Sequence, residues 1–245
     1  MATSYLFLGS GDYSVPWNFA KAHSVSDAAK ANRWGLSGPI DPSNEGASRT
    51  LQNVTITATE LRTRAETEAI YRAISEAELD RVQDNMRNIG LIGESRLQGV
   101  ADTTSVIGGF DATRYPPGTP NFDRIIFENP HSGTYGRDGD GVQNMRAVES
   151  NTGLLQGVIR EARNHLTLNG YLEVSVCGWP FIAKPSRQDK WEIGMDLSNE
   201  DAARAFAQGL NMQITQFADM GTQWVTRNNG DRFQAQVIRL RFARA

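Results

Sequence analysis

Four short segments concentrate the side chains able to do chemistry. The first is Gly9-Ser-Gly-Asp-Tyr-Ser14, a glycine-containing turn directly after the apolar run Tyr5-Leu-Phe-Leu8. Glycines let backbone amides approach a ligand closely, the use such turns have in nucleotide-binding folds. A dinucleotide fingerprint would place a third glycine at position 14, where Ser14 stands, so an ordinary strand-to-helix turn is the competing reading. The second is Glu60, whose carboxylate can accept both hydroxyls of a ribose, or can be a solvated acid paired with Arg62 or Arg64. The third is Asp111 with its neighbour Ala112. Asp111 can accept a hydrogen bond from an exocyclic amine such as that of adenine, or can simply form a turn. The fourth, Glu128-Asn-Pro-His131, is the richest. His131 can act as a general base near neutral pH or make a structural hydrogen bond within the loop, and Asn129 both donates and accepts. Pro130 holds the backbone of Asn129 extended, which gives this turn a fixed polar edge. Downstream, Trp179 and Phe181 in Gly178-Trp-Pro-Phe181 can stack on a flat heterocycle or pack the loop onto the core.

The elements expected around these segments alternate strand and helix. Tyr5–Leu8, 53–59, 104–108, 122–127, 170–177, 212–218 and 233–242 read as seven strands, from β-branched and apolar runs bounded by turn residues. Residues 16–31, 61–89, 144–166 and a stretch from about Ser198 to Leu210 read as helical. Leu79, Val82, Met86 and Ile89 fall on one helix face, as do Val148, Leu155, Val158, Ile159, Ala162 and Leu166 on the longer helix. Ser198-Asn-Glu-Asp201 resembles a helix start with Asp in the place of the usual Glu or Gln. In the last strand Ile238, Leu240 and Phe242 alternate with Arg239 and Arg241, the pattern of a half-buried strand. This alternation predicts a largely parallel sheet covered by helices on both faces, with ligands beyond the carboxyl ends of its strands, where the four segments lie. A single domain over residues 1–245 is expected, with loop insertions at 35–50 and 178–193.

Bulk composition narrows the function classes. The chain has 245 residues, 25 Lys plus Arg against 28 Asp plus Glu, and a formal charge of -3. That balance argues against broad, sequence-independent nucleic-acid binding, which is driven by neutralising phosphates. Cys177 is the only cysteine, which rules out an intramolecular disulfide. With three histidines and no ligand spacing, no metal site is expected. No nucleophile elbow or Walker phosphate loop is present, which removes much of hydrolase and nucleoside-triphosphatase chemistry. No apolar run reaches membrane-spanning length and no signal-peptide pattern opens the chain, so no membrane association and a cytoplasmic location are expected.

Taken in order, the segments resemble the Rossmann-like S-adenosylmethionine (SAM)-dependent methyltransferase family typified by large-subunit rRNA uridine-N3 methyltransferases. That family opens with Gly-Glu-Gly-Asp/Asn-Phe-Ser after its first strand, where this chain has Gly9-Ser-Gly-Asp-Tyr-Ser14. Its Ala-Thr-Ser-Tyr-Asp corresponds to Ala58-Thr-Glu-Leu61, and its Val-Asp-Ala-Thr to Phe110-Asp-Ala-Thr113. Its Phe-Asp-Arg-Ile-Ile-Phe-Asn-Phe-Pro-His is matched by Phe122-Asp-Arg-Ile-Ile-Phe-Glu-Asn-Pro-His131, and its Asn-x-x-Leu-Leu by Asn151-Thr-Gly-Leu-Leu155. Asn169-Gly170 opens the next strand as the family does. The likeness covers most of residues 5–177. Ser10 departs from the family Glu, and Glu128-Asn129 stands where the family has Asn-Phe.

The resemblance implies a class I methyltransferase fold with a mostly parallel seven-stranded sheet and SAM as cofactor. It implies that Gly9, Ser10, Gly11, Asp12, Tyr13 and Ser14 cradle the methionine part of SAM. Glu60 would hold the ribose, Asp111 and Ala112 the adenine edge. Asn129 borders both cofactor and acceptor, and Glu128, Asn129 and His131 are the expected catalytic residues, with Pro130, Trp179 and Phe181 against the acceptor. From the acidic balance a small heterocyclic acceptor is expected in preference to RNA. The alternatives are a uridine in rRNA and a non-catalytic SAM-binding module. A nicotinamide oxidoreductase is disfavoured by Ser14. Oligomeric state is left open.

Overall fold

The computed structural model describes residues 3–24, 54–89, 104–128, 130, 141–177, 197, 199–226 and 232–245. The chain forms two compact units, Met1–Phe110 and Asp111–Ala245. Both expected insertions, 35–50 and 178–193, lie outside the described residues.

In the first unit, β1 (Thr3–Leu8) pairs in parallel with β2 (Val54–Glu60), and β2 with β3 (Thr104–Gly108), giving the order β3-β2-β1. Tyr5, Leu6, Phe7 and Leu8 are all buried, as expected of a strand covered on both faces. Helix α1 (Ser14–Ser24) begins two residues before Pro16, which therefore sits in the first turn, where its missing N–H breaks no helical bond. Its Phe19 packs against Tyr5 and Phe7, with ring centroids 4.6 and 5.1 Å apart.

The expected long helix over 61–89 is two helices, α2 (Arg64–Ile74) and α3 (Glu76–Asn88). Thr63 and Glu66 form a reciprocal capping box that starts α2. Ser75 breaks the run: its backbone is extended at φ -171 and ψ 158, and its hydroxyl accepts from the Glu78 N–H at 3.1 Å. One serine thus closes α2 and opens α3, the competition with helical bonding that favours serine at caps. Leu79, Val82, Met86 and Ile89 are buried together as their spacing predicted.

In the second unit, β4 (Phe122–Glu128) pairs in parallel with β5 (Leu166–Cys177). Strand β5 pairs antiparallel with β7 (Arg232–Arg244), and β7 antiparallel with β6 (Met212–Thr226), giving β4-β5-β7-β6. Helix α4 (Gly141–His165) packs on β5 and β7, and α5 (Glu200–Gly209) on β6. Leu155, Val158, Ile159 and Ala162 of α4 are fully buried. Each larger one contributes on the order of 1.5–3 kcal/mol of burial free energy. The cap of α5 is Asn199, whose side chain accepts from Ala202 N–H, one position later than the sequence signature suggested.

The alternation of β7 has a different meaning from the one expected. Ile238, Leu240 and Phe242 face the apolar core, but Arg239 and Arg241 do not face open solvent. Both reach the buried carboxylate of Glu173 on the opposite sheet face.

Candidate active site

The glycine turn after β1 is built on left-handed backbone. Gly9 and Gly11 have φ of 56° and 54°, and Tyr13, a non-glycine, has φ 59°. The Ser10 N–H donates to the Thr59 carbonyl and the Tyr13 N–H to the Ser10 carbonyl, both at 2.8 Å. Tyr13 accepts its uncommon backbone because its ring is wholly buried, which fixes the turn from outside. Burial is also the main cause that pushes its phenol pKa upward, with the Glu60 charge adding to it.

Glu60 ends β2 rather than following it and is 5% exposed. Its Oε2 accepts from Gly11 N–H at 2.8 Å, and its Oε1 lies 3.4 Å from Arg62 Nη1. The carboxylate therefore ties the second strand to the glycine turn and keeps lone pairs over for a ligand. Of the competing reading, the solvated acid fails, because the strand carries Glu60 inward under the turn, while the pairing with Arg62 is present. Phe110 N–H donates to the Glu60 carbonyl at 2.9 Å, which fixes the chain immediately before Asp111.

Asp12 is committed within the protein. Its Oδ1 accepts from Ser14 N–H at 2.9 Å at the start of α1, and its Oδ2 from Arg81 of α3 at 2.6 Å. Its carbonyl accepts from Asn85 at 2.9 Å. Asp12 anchors the turn to two helices, and the Arg81–Asn85 pair that does this carried no sequence signal, since it lies about 70 residues away in the chain.

Asp111 is exposed and shapes its own loop: Oδ1 accepts from the Thr113 N–H and hydroxyl at 2.8 and 2.7 Å. This is the side-chain-to-backbone turn that Asp readily forms, and Oδ2 is left outward. Ala112 lies in that turn, half-buried. Glu128 is the last residue of β4, half-buried, in register with Ser175 of β5. Pro130 is buried. Asn129, His131, Trp179 and Phe181 lie outside the described residues.

These features fit a SAM-type ligand. Gly11 has no Cβ and a φ that side chains rarely adopt, so the turn presents bare backbone there, with the Gly11 N–H held by Glu60. The Ser10 hydroxyl is buried with no hydrogen-bond partner among the described residues, a polar group that an ammonium or carboxylate would satisfy.

A family model described as BMT5-like rRNA (uridine-N3-)-methyltransferase matches residues 43–220, well over half of the chain. The match takes in Glu60, Asp111 and Glu128-Asn-Pro-His131 and begins after the glycine turn. No curated protein matches the sequence. Among solved structures the chain is similar to a SAM-dependent methyltransferase from Methanosarcina mazei, at 11% identity over 98% of this chain and 92% of that one, with a TM-score of 0.48. It is similar to precorrin-6y C5,15-methyltransferase from Geobacter metallireducens, at 13% identity, 100% and 81% coverage and a TM-score of 0.44. A third is the glycopeptide N-methyltransferase MtfA complexed with S-adenosylhomocysteine, at 10% identity, 100% and 82% coverage and a TM-score of 0.46.

The family match corrects one expectation. The acceptor named for the family is a uridine of rRNA, which overturns the preference for a small molecule. The error came from reading net charge, which averages over the whole surface and says nothing of a local basic face. Among the described residues, no helix is long and apolar enough to cross a membrane. The fold class and the cofactor stand as expected: a Rossmann-like class I fold with SAM as methyl donor. The chain is a SAM-dependent methyltransferase and belongs to the BMT5-like rRNA (uridine-N3-)-methyltransferase family.

Proposed function

We propose that this protein transfers the methyl group of SAM to N3 of a uridine in rRNA. The observation that carries the reading is the family match over residues 43–220, which includes the polar segment closing β4. In this reading the first unit supplies the cofactor's methionine and ribose contacts. The turn Gly9-Ser10-Gly11 borders the methionine end, which the Ser10 hydroxyl, otherwise unpaired among the described residues, holds, with Tyr13 and Ser14 completing the turn. Asp12 keeps that turn in shape through Arg81. Glu60 accepts from the ribose hydroxyls while still holding Gly11 N–H. Asp111 Oδ2 and the backbone of Ala112 serve the adenine edge.

SAM supplies an electrophilic methyl carbon on a sulfonium. The protein's part is to position the acceptor, exclude water and take one proton. Uridine N3 carries a hydrogen whose loss frees the lone pair that attacks. Glu128 or His131 accepts that proton, Asn129 and Pro130 form the wall beside the reacting atoms, and Trp179 and Phe181 stack on the base.

The test is methylation of unmodified rRNA transcripts by the purified chain with radiolabelled SAM, followed by nuclease digestion and identification of the nucleoside. N3-methyluridine is the expected product. Labelling at another base or position, or none in a chain that binds S-adenosylhomocysteine, refutes the acceptor assignment.

A further inference from the structure

The second unit's sheet has one apolar face and one charged face. Register places Arg124 and Glu128 of β4, Glu173 and Ser175 of β5, and Arg239 and Arg241 of β7 on the charged face. Much of it is buried: Glu173 is 4% exposed and Arg239 9%. The charges do not balance at its centre. Among the described residues, Glu173 is the one carboxylate in ion-pair contact with the two guanidiniums, with Oε2 accepting from Arg241 Nε at 2.6 Å and Oε1 3.4 Å from Arg239 Nε. Arg241 also lies over the Tyr171 ring at 4.6 Å. Arg239 has only the longer contact: its buried Nε makes no hydrogen bond, and no described residue accepts from its terminal nitrogens. A buried guanidinium held by half a carboxylate is set up to donate to something else.

Its position says what that is. Arg239 pairs with Ser175, and Ser175 with Glu128, so the three form one row across neighbouring strands. The row lies at the carboxyl ends of β4 and β5, where ligands bind in such sheets. Arg239 and Glu128 stand two strand spacings apart, roughly 10 Å between backbones. A donor and a proton acceptor thus share one face of the sheet at this end, with Ser175 between them.

We infer that Arg239 binds the acceptor, donating to a carbonyl oxygen beside the nitrogen that is methylated. The inference rests on the uridine-N3 reading and deepens it. Uracil N3 sits between two carbonyls, and loss of its proton spreads negative charge onto both oxygens. A guanidinium at one oxygen stabilises that anion more than the neutral ring, so it favours the form that attacks. The N3–H bond breaks with its proton passing to Glu128. The freed pair on N3 forms the bond to the methyl carbon, and the sulfur–carbon bond breaks with its pair staying on sulfur. The products are N3-methyluridine, S-adenosylhomocysteine and one proton, later released to solvent.

The test uses Arg239→Gln and Arg239→Lys in the full chain on unmodified rRNA transcripts. Arg239→Gln should lower kcat by roughly 10²–10³-fold, the effect of removing one donor from a developing anion. It should also move the rising limb of the pH–rate profile to higher pH, with S-adenosylhomocysteine affinity unchanged. Arg239→Lys, which keeps the charge opposite Glu173, should restore part of the rate. With transcripts containing 5-fluorouridine, whose N3–H is more acidic, the loss in both variants should shrink, a response that a structural role would not give. If wild type forms N3-methyluridine and both variants match its rate and pH profile, the Arg239 assignment is wrong and the acceptor reading stands. A uniform loss that 5-fluorouridine does not relieve also overturns it. If wild type forms no N3-methyluridine, the acceptor reading falls and takes this inference with it.

Discussion

Replacing Glu60 separates its two jobs. Glu60→Gln keeps the size of the side chain and one oxygen for the Gly11 N–H, now 2.8 Å from Oε2. It removes the charge and turns the second oxygen into a donor facing Arg62, 3.4 Å away. A ribose hydroxyl that donated to a carboxylate oxygen then meets an NH2 group. Losing one hydrogen bond to a charged acceptor costs about 1.5–3 kcal/mol, or roughly 10- to 150-fold in affinity. Glu60→Ala goes further and leaves the Gly11 N–H without its acceptor, which costs about 1–3 kcal/mol of stability. For a chain of this size that corresponds to a fall in Tm of about 2–12 °C. Calorimetric titration with S-adenosylhomocysteine and thermal melts of both variants measure the two effects. If Glu60→Gln binds S-adenosylhomocysteine as tightly as wild type, Glu60 only braces the glycine turn and the ribose assignment is wrong.

Asp111→Asn should keep the two bonds from Thr113 to Oδ1 but present an amide where Oδ2 stood, weakening S-adenosylhomocysteine roughly 10-fold or more in titration with no change in Tm. Gly170→Ala should destabilise β5, because a Cβ there would lie 2.9 Å from the Phe122 carbonyl oxygen and 3.1 Å from that of Asp123, both rigid backbone. A cost of about 1–3 kcal/mol is expected in urea unfolding, and an unchanged midpoint would show that the strand shifts freely. The Glu66 carboxyl has a lowered pKa, first from the Thr63 backbone hydrogen bond and then from its hydroxyl. A depressed acid stabilises the fold above its unfolded value and loses that contribution as pH falls through the folded one. Melts below pH 4.5 should therefore show a smaller acid-induced loss of Tm in Glu66→Gln than in wild type.

The sequence by itself determined the element order and the apolar faces. Strand and helix periods differ, and a one-residue slip would expose a whole face, so the pattern of Leu79, Val82, Met86 and Ile89, or of Leu155, Val158, Ile159 and Ala162, is legible without coordinates. The segments at the carboxyl ends of β1, β2, β3 and β4 were legible as places to look for a site, because ligands in such sheets bind beyond the strand ends. What the sequence could not express was pairing between distant polar groups. Asp12 reads as a ligand until Arg81 is found on its carboxylate. Arg239 and Arg241 read as the solvent face of a half-buried strand until β5 lays Glu173 beside them. Hydrophobic burial leaves a periodic trace along the chain because it depends only on which side a residue faces. An ion pair depends on which residue of another strand stands opposite, and register across strands distant in sequence is decided only when the sheet assembles.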